Sequence, residues 1–409
     1  MLKTIHIQEL KLGMFVQQLQ GAWFDHPFWR SSFLLKDQSD LNKLLASNVE
    51  HVLIDTEKSL VATTPSGTLE HSVTGKSVND AMAELRKREI GKPRAQHLSA
   101  AEEHQTAMKL INASKASVRH MFNEARMGKA MNAEEALPLV KDILSSIDRS
   151  HNAITSLVRL KGKDEYTYMH SVAVCVLMIA LARELGLSDE QTLQAGVAGL
   201  YHDIGKMAIP DDILNKPAAL SEDEFIVMRK HSEFGHAILS RSKQIDEVCL
   251  DVCLHHHEKI DGTGYPHKMN GSEISIFAKM AAVCDVYDAL TSHRPYRTGW
   301  EPGITLHRMT QWTGHFDAHI LNAFIKCIGI YPIGSLVKLK SGRLAVVIDQ
   351  CPTSLLTPVV KVFFSTKSNM HLEPQVVYLS RIGGHDEVIG HEDPRVWGIH
   401  DLHTMWANG

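Results

Sequence analysis

Two apolar helical runs near the middle of the chain each stop at a pair of adjacent metal-donor residues, and that limits what the chain can fold into. LYHDIGK puts His202-Asp203 at the end of a helical run starting at Asp189. The run Val248, Leu250, Val252, Leu254 stops at His256-His257, just before the Asp261-Gly262 loop. A His–Asp pair offers a neutral nitrogen and a carboxylate able to bridge two cations, and the second His pair can supply a second cation. Such donors must be brought to one point from different helices, so the centre of the chain is expected to be a helical assembly with helix ends meeting.

The surrounding pattern agrees. Between about 135 and 330 the apolar residues recur almost throughout with helical period. Helices are predicted over Ala136–Leu160, Tyr166–Leu185, Asp189–His202, Glu222–Leu239, Asp246–His257, Ile276–Thr291 and Gly303–Trp312. Gly186 reads as the residue that ends one helix and Ser188 as the N-cap of the next, while Ser221 with Glu224 fits a capping box. Residues 1–60 read as a small N-terminal α+β domain, with Gly13–Val16 and Val52–Glu57 as strand signals and Leu41–Asn48 as a helix. Residues 61–134 read as a linker and helical connector: a Ser/Thr/Gly-rich stretch to Val78, then charged helical pattern interrupted at Lys92-Pro93. From 331 to 409 the pattern turns to alternation, as in SLVKLKSGRLAVVIDQ, which predicts a β-rich appendage of three or four strands. The fold class expected is mainly α, with a small α+β domain before the helical domain and a β appendage after it.

Composition excludes more than it identifies. A net charge of -4 gives no general electrostatic reason to bind a nucleic acid polymer or an acidic membrane. An anionic ligand must therefore be drawn by a local site, and bound cations can supply that field. The six cysteines include no CxxC pair and read as buried free thiols. The start MLKTIHIQELKLGM lacks a signal-peptide apolar run, and Val172–Ala182 is short of the ~20 residues of a membrane span. A cytoplasmic location is expected. The long helical stretches from 79 to 160 are candidates for a homodimer contact or a signalling-protein partner.

Three single residues can complete a metal site with the two pairs: His170, His231 and Asp285, each on a predicted helix beside apolar neighbours. A carboxylate such as Asp285, flanked by Met280–Val283 and Tyr287, is costly to bury unless it meets a charge or a metal. Gly205-Lys206 and Gly264-Tyr265-Pro266 read as loops built to hold an anion. Together these features point to metal-dependent hydrolysis of a phosphate ester.

The segments HSVAV (170–174), LYHDIGKMAIPDDILNKPAAL (200–220), KHSEFGHAIL (230–239), HHEKIDGTGYP (256–266) and AAVCDVYDALTSHRPYR (281–297) are similar to those of the HD-GYP family. These are bacterial phosphodiesterases of the HD superfamily that hydrolyse cyclic di-GMP. The resemblance covers about 165–325, with DGTGYP and RPYR as its distinguishing parts, and makes the central segment, 135–330, the catalytic domain.

Position by position, the resemblance implies metal binding by His170, His202, Asp203, His231, His256, His257 and Asp285, with Asp203 as the bridging carboxylate. It makes Asp203 and Lys206 catalytic. Lys206, Tyr265, Arg294 and Arg297 become substrate contacts, and Arg, Lys and Tyr chemistry suits a nucleotide phosphate and base. His255 reads as a non-ligand. Some members carry a Glu one helical turn before the first His, associated with a third metal; here that position is Tyr166, which implies two cations. The donor set suits iron or manganese, with zinc, nickel or cobalt also able to occupy it. The expected reaction is hydrolysis of cyclic di-GMP to linear pGpG through a metal-bridged hydroxide, with the second cleavage, to GMP, left open by Tyr166 in place of the third-metal Glu. The alternatives are another cyclic dinucleotide substrate, such as 3′,3′-cyclic GMP-AMP, and a non-catalytic cyclic-dinucleotide sensor.

Overall fold

The structure is a computed structural model and describes residues 2–20, 33–35, 38–45, 51–55, 58, 100–129, 133–157, 166–242, 244–292, 299–351, 354–380, 386–399, 402 and 404–407. The chain divides into two compact units, Met1–Leu98 and Ser99–Gly409. The Ser/Thr/Gly-rich stretch and the Lys92-Pro93 interruption lie outside the described residues.

Among the described residues, the first unit holds a four-stranded antiparallel sheet and one helix. Strands β1 (Leu2–His6), β2 (Phe15–Gln20), β3 (Phe33–Leu34) and β4 (His51–Asp55) lie in the order β1-β4-β2-β3, and α1 spans Gln38–Leu45. Ile5, Ile7, Val16, Leu35, Val52 and Ile54 are buried together in its core.

The second unit is mainly helical. Its helices are α2 (Ala100–Arg126), α3 (Ala133–Arg149), α4 (His151–Leu157), α5 (Tyr166–Glu184), α6 (Asp189–Tyr201), α7 (Asp211–Leu214), α8 (Glu222–Arg229), α9 (His231–Ser240), α10 (Glu247–His255), α11 (Ile276–Thr291), α12 (Pro302–Gln311) and α13 (Ala318–Ile328). A 3-10 turn, Ile204–Ala208, follows α6. Helix α5 is apolar on every side and Val172–Ala182 is buried throughout, which makes it the central rod around which the others pack. Thr167–Glu184 is long and apolar enough to cross a membrane, but 78% of it is buried inside this unit. All six cysteines are buried and free.

The local signals account for the helix ends. Ser188 and Ser221 each form a capping box, with Gln191 and Glu224, and Gly186 adopts the left-handed conformation (φ 71°) that stops α5. Three differences matter. The helix expected over Glu222–Leu239 is two helices broken at Lys230, and the one expected over Ala136–Leu160 is α3 and α4. Helix α13 has no counterpart among the predicted helices, although Asp317 caps it by accepting from His319 N (3.0 Å) and Ile320 N (3.2 Å) and Gly329 follows it.

Among the described residues the tail holds five strands where three or four were expected: β5 (Leu336–Leu339), β6 (Arg343–Cys351), β7 (Ser354–Ser365), β8 (Met370–Tyr378) and β9 (Val388–His391), in the order β8-β7-β6-β5-β9. The extra strand, β9, has four residues with only two apolar ones, too few to register as alternation. The sheet joins the helices through Asn152 Nδ2 to Asp349 Oδ1 (2.8 Å). A short helix, α14 (Thr404–Ala407), packs Trp406 under it.

Candidate metal centre

Three helices end where donors are needed, and their last carbonyls set the histidine rings. A helix leaves its final C=O groups without a backbone donor. His202, at the end of α6, meets Gly199 O with Nδ1 (2.8 Å). His256, at the end of α10, brings Nδ1 to Cys253 O (3.1 Å) and to Val252 O (3.0 Å), the latter also accepting from the His256 backbone N–H (3.0 Å). His231, where α8 gives way to α9, meets Met228 O at 2.7 Å. In each ring the Nδ1–H is held by a carbonyl, which leaves the Nε2 lone pair directed away from the helix as a ligand. The break at Lys230 thus serves the site, since it frees a carbonyl for His231.

His170, in mid-α5, has no free carbonyl to use. Its Nδ1 lies 2.6 Å from Asp288 Oδ2 and its Nε2 lies 2.9 Å from Asp285 Oδ1. Both carboxylates come from α11, one helical turn apart. Asp288 touches the site yet was not among the candidates read from the sequence; its signal was the DxxD spacing that puts it on the face of Asp285.

The donors form two groups whose ligand atoms lie within 4.8 Å of one another: Asp203, His231, His256 and His257 in one, His170, His202 and Asp285 in the other. Asp203 faces both. Its Oδ2 lies 3.4 Å from His170 Nε2 and 3.3 Å from His202 Nε2, while Oδ1 lies 3.4 Å from His231 Nε2 and 3.8 Å from His256 Nε2. Lys206 Nζ bonds Asp203 Oδ2 from the partly open side. His255 belongs to neither group and instead bonds Asp251 Oδ1 (2.7 Å) and His267 Nδ1 (3.0 Å).

The residues present fit cations. His202 Nε2 and Asp203 Oδ1 are buried and make no hydrogen bond among the described residues, an arrangement costly without a ligand to satisfy it. Burial pushes His231 down to about 4; burial, then neighbouring histidines, push His256 down to about 3, so both are neutral and ready to coordinate at neutral pH. His257 is likewise held well below the usual range by burial. At Asp203, burial opposes ionisation but Lys206 and His202 outweigh it; at Asp285, burial is outweighed by His170. Burial also works against charge on His170, yet its bonds to Asp203, Asp285 and Asp288 raise it to about 10. The dry core thus holds ionised carboxylates that need positive charge beside them.

Tyr265 stacks on His257 (ring centroids 4.7 Å apart, planes at 29°), and the peptide bond to Pro266 is cis. Burial, then Asp285 and Asp203, push its hydroxyl well up, so it remains a hydrogen-bond donor. The loop is tied by Glu258, a buried carboxylate that accepts from His267 N (2.7 Å) and Met269 N (3.1 Å). Arg294 and Arg297 lie outside the described residues, as does Glu165.

The helical fold and the paired His–Asp groups at its helix ends define an HD-domain protein. A model described as an HD domain matches residues 138–320, and one described as a domain of unknown function (DUF3391) matches residues 2–136. The chain is 49% identical over 408 residues to the cyclic di-GMP phosphodiesterase PA4108 of Pseudomonas aeruginosa, covering 100% of this chain and 96% of that protein. It is 34% identical over 200 residues to the cyclic di-GMP phosphodiesterase response regulator RpfG of Xanthomonas campestris pv. campestris, covering 47% of this chain and 53% of that one. It is 35% identical over 169 residues to 3′3′-cGAMP-specific phosphodiesterase 2 of Vibrio cholerae, covering 41% and 32%. The chain belongs to the HD-GYP family of metal-dependent cyclic-dinucleotide phosphodiesterases.

Proposed function

We propose that this protein hydrolyses cyclic di-GMP to linear pGpG, and pGpG onward to GMP, at a site holding two divalent cations, iron or manganese by preference. The observation that carries the reading is the orientation of Asp203, whose two oxygens face the two ligand groups separately. The choice of cyclic di-GMP is supported by the relative matched along the whole chain, whereas the cGAMP-specific relative matches 41% of it.

His170, His202 and Asp285 would hold one cation, and His231, His256 and His257 the other, with Asp203 shared. Bound there, divalent cations neutralise charge on phosphoryl oxygens and make water a competent nucleophile at neutral pH. The chain's own groups do the rest. Lys206 keeps Asp203 ionised and donates to a phosphoryl oxygen. The protonated Tyr265 hydroxyl donates to the same phosphate, and its ring, stacked on His257, excludes water from one side. Arg294 and Arg297 would bind the remaining phosphate and a base. Water oxygen adds to phosphorus while the 3′ oxygen leaves with a proton, so cyclic di-GMP and one water give pGpG.

Chromatography of the products formed by manganese- or iron-loaded protein from cyclic di-GMP tests the reading. pGpG followed by GMP is expected. Binding with no linear product would mark the protein as a sensor and overturn it.

A further inference from the structure

One cation near the site is unused by the mechanism. Helix α8 is fixed at its start by the Ser221–Glu224 capping box and by Lys216 Nζ on both Glu224 oxygens (2.7 and 2.6 Å). Phe225 and Arg229 follow at i and i+4 and share one face. The Arg229 guanidinium lies 4.5 Å from the Phe225 ring centroid and 5.3 Å from that of Tyr265. Successive contacts therefore lead from Phe225, which is 43% exposed, through Arg229 and Tyr265 to His257. Among the described residues Arg229 has ring partners and no carboxylate partner.

A guanidinium lying on aromatic faces keeps its in-plane N–H donors available and its orientation fixed. That planar fork fits the O6/N7 acceptor pair of guanine, whereas adenine presents an N6 donor at the same edge. The exposed Phe225 ring beside it offers a face on which a purine stacks. We propose that Arg229, positioned by Phe225 and Tyr265, reads the O6/N7 edge of one guanine of the dinucleotide and sets its preference for guanine over adenine. The proposal rests on the cyclic di-GMP reading and adds a specificity residue to it.

The test is competition against hydrolysis of bis(p-nitrophenyl) phosphate by the manganese-loaded full chain, giving inhibition constants for cyclic di-GMP and cyclic di-AMP. Wild type binds cyclic di-GMP more tightly. Arg229→Ala weakens cyclic di-GMP by about tenfold or more, the range of one bidentate base contact, and cyclic di-AMP far less. Arg229→Lys, which keeps the charge but loses the fork, behaves like the alanine variant. Equal weakening of both dinucleotides, rescue by lysine, or no change in either variant overturns the proposal. If cyclic di-GMP fails to inhibit wild type, the underlying reading falls and this inference with it. If wild type is inhibited and Arg229→Ala is unaltered, only this inference falls.

Discussion

His170 Nδ1 and Asp288 Oδ2 sit 2.6 Å apart in the buried core, 118 residues apart in sequence. The carboxylate fixes the ring so that Nε2 points at Asp285 and Asp203, and it makes the imidazole a stronger donor. Asp288 is thus a positioning residue for one of the two ligand groups. Asp288→Asn is expected to lower manganese affinity about 10- to 100-fold, read by titrating metal-free protein. Unchanged affinity would remove Asp288 from the site.

The 3-10 turn carrying Lys206 lies against α9 with no room for a side chain. A Cβ on Gly205 would stand 1.9 Å from His231 O and 2.3 Å from Gly235 N, both backbone atoms that cannot swing aside. Gly205→Ala must therefore push the His202–Asp203 segment away from His231. Overpacking of this kind costs about 1–3 kcal/mol. Bound metal per chain and melting temperature should both fall, and a variant with wild-type values of both would show that the segments separate freely.

Glu258 holds the loop that bears Tyr265. Glu258→Gln keeps one acceptor oxygen but sets an NH2 group against a backbone N–H, either at His267 or at Met269. Loss of a buried charged acceptor costs about 1–3 kcal/mol, so amide exchange in a peptide covering 264–270 should accelerate by about 5- to 150-fold at the same unfolding stability elsewhere. The KM for the dinucleotide should rise with it. Exchange at the wild-type rate would mean that the loop is held by other contacts.

Away from the metal centre, His315 stacks on Phe316 (4.2 Å) and Trp312 (5.4 Å), and burial, then Lys259, push it down to about 4. Its folded value lies below the ~6.5 of the unfolded chain. The stability it contributes is fully present above pH 6.5 and is lost as pH falls from there through 4. His315→Phe should therefore lose less melting temperature than wild type between pH 7 and pH 4.5. Parallel curves would show that His315 titrates alike in both states.

Legibility followed the physics of each signal. The helical core could be read because its apolar period is long and its caps are local, as at Ser188 and Ser221. The His–Asp and His–His pairs could be read because adjacent donors at a helix end stand out against an apolar run. The rings' orientation could not, since it depends on where the carbonyls of Gly199, Met228, Val252 and Cys253 stand relative to each ring at the helix end. The break at Lys230 has neither proline nor glycine to announce it. Asp288 and Glu258 act through single long-range or loop contacts, and a sequence shows their charge but not their partner. Phe225 and Arg229 look like an exposed helix face until the Tyr265 loop is folded against them.

Metal stoichiometry with product analysis, in wild type and in Asp203→Ala, tests the central claim that one carboxylate joins two cation sites. Two divalent ions per chain with pGpG formation are expected for wild type, and less than one ion with no linear product for Asp203→Ala. An Asp203→Ala protein that keeps two ions and full turnover would contradict the account.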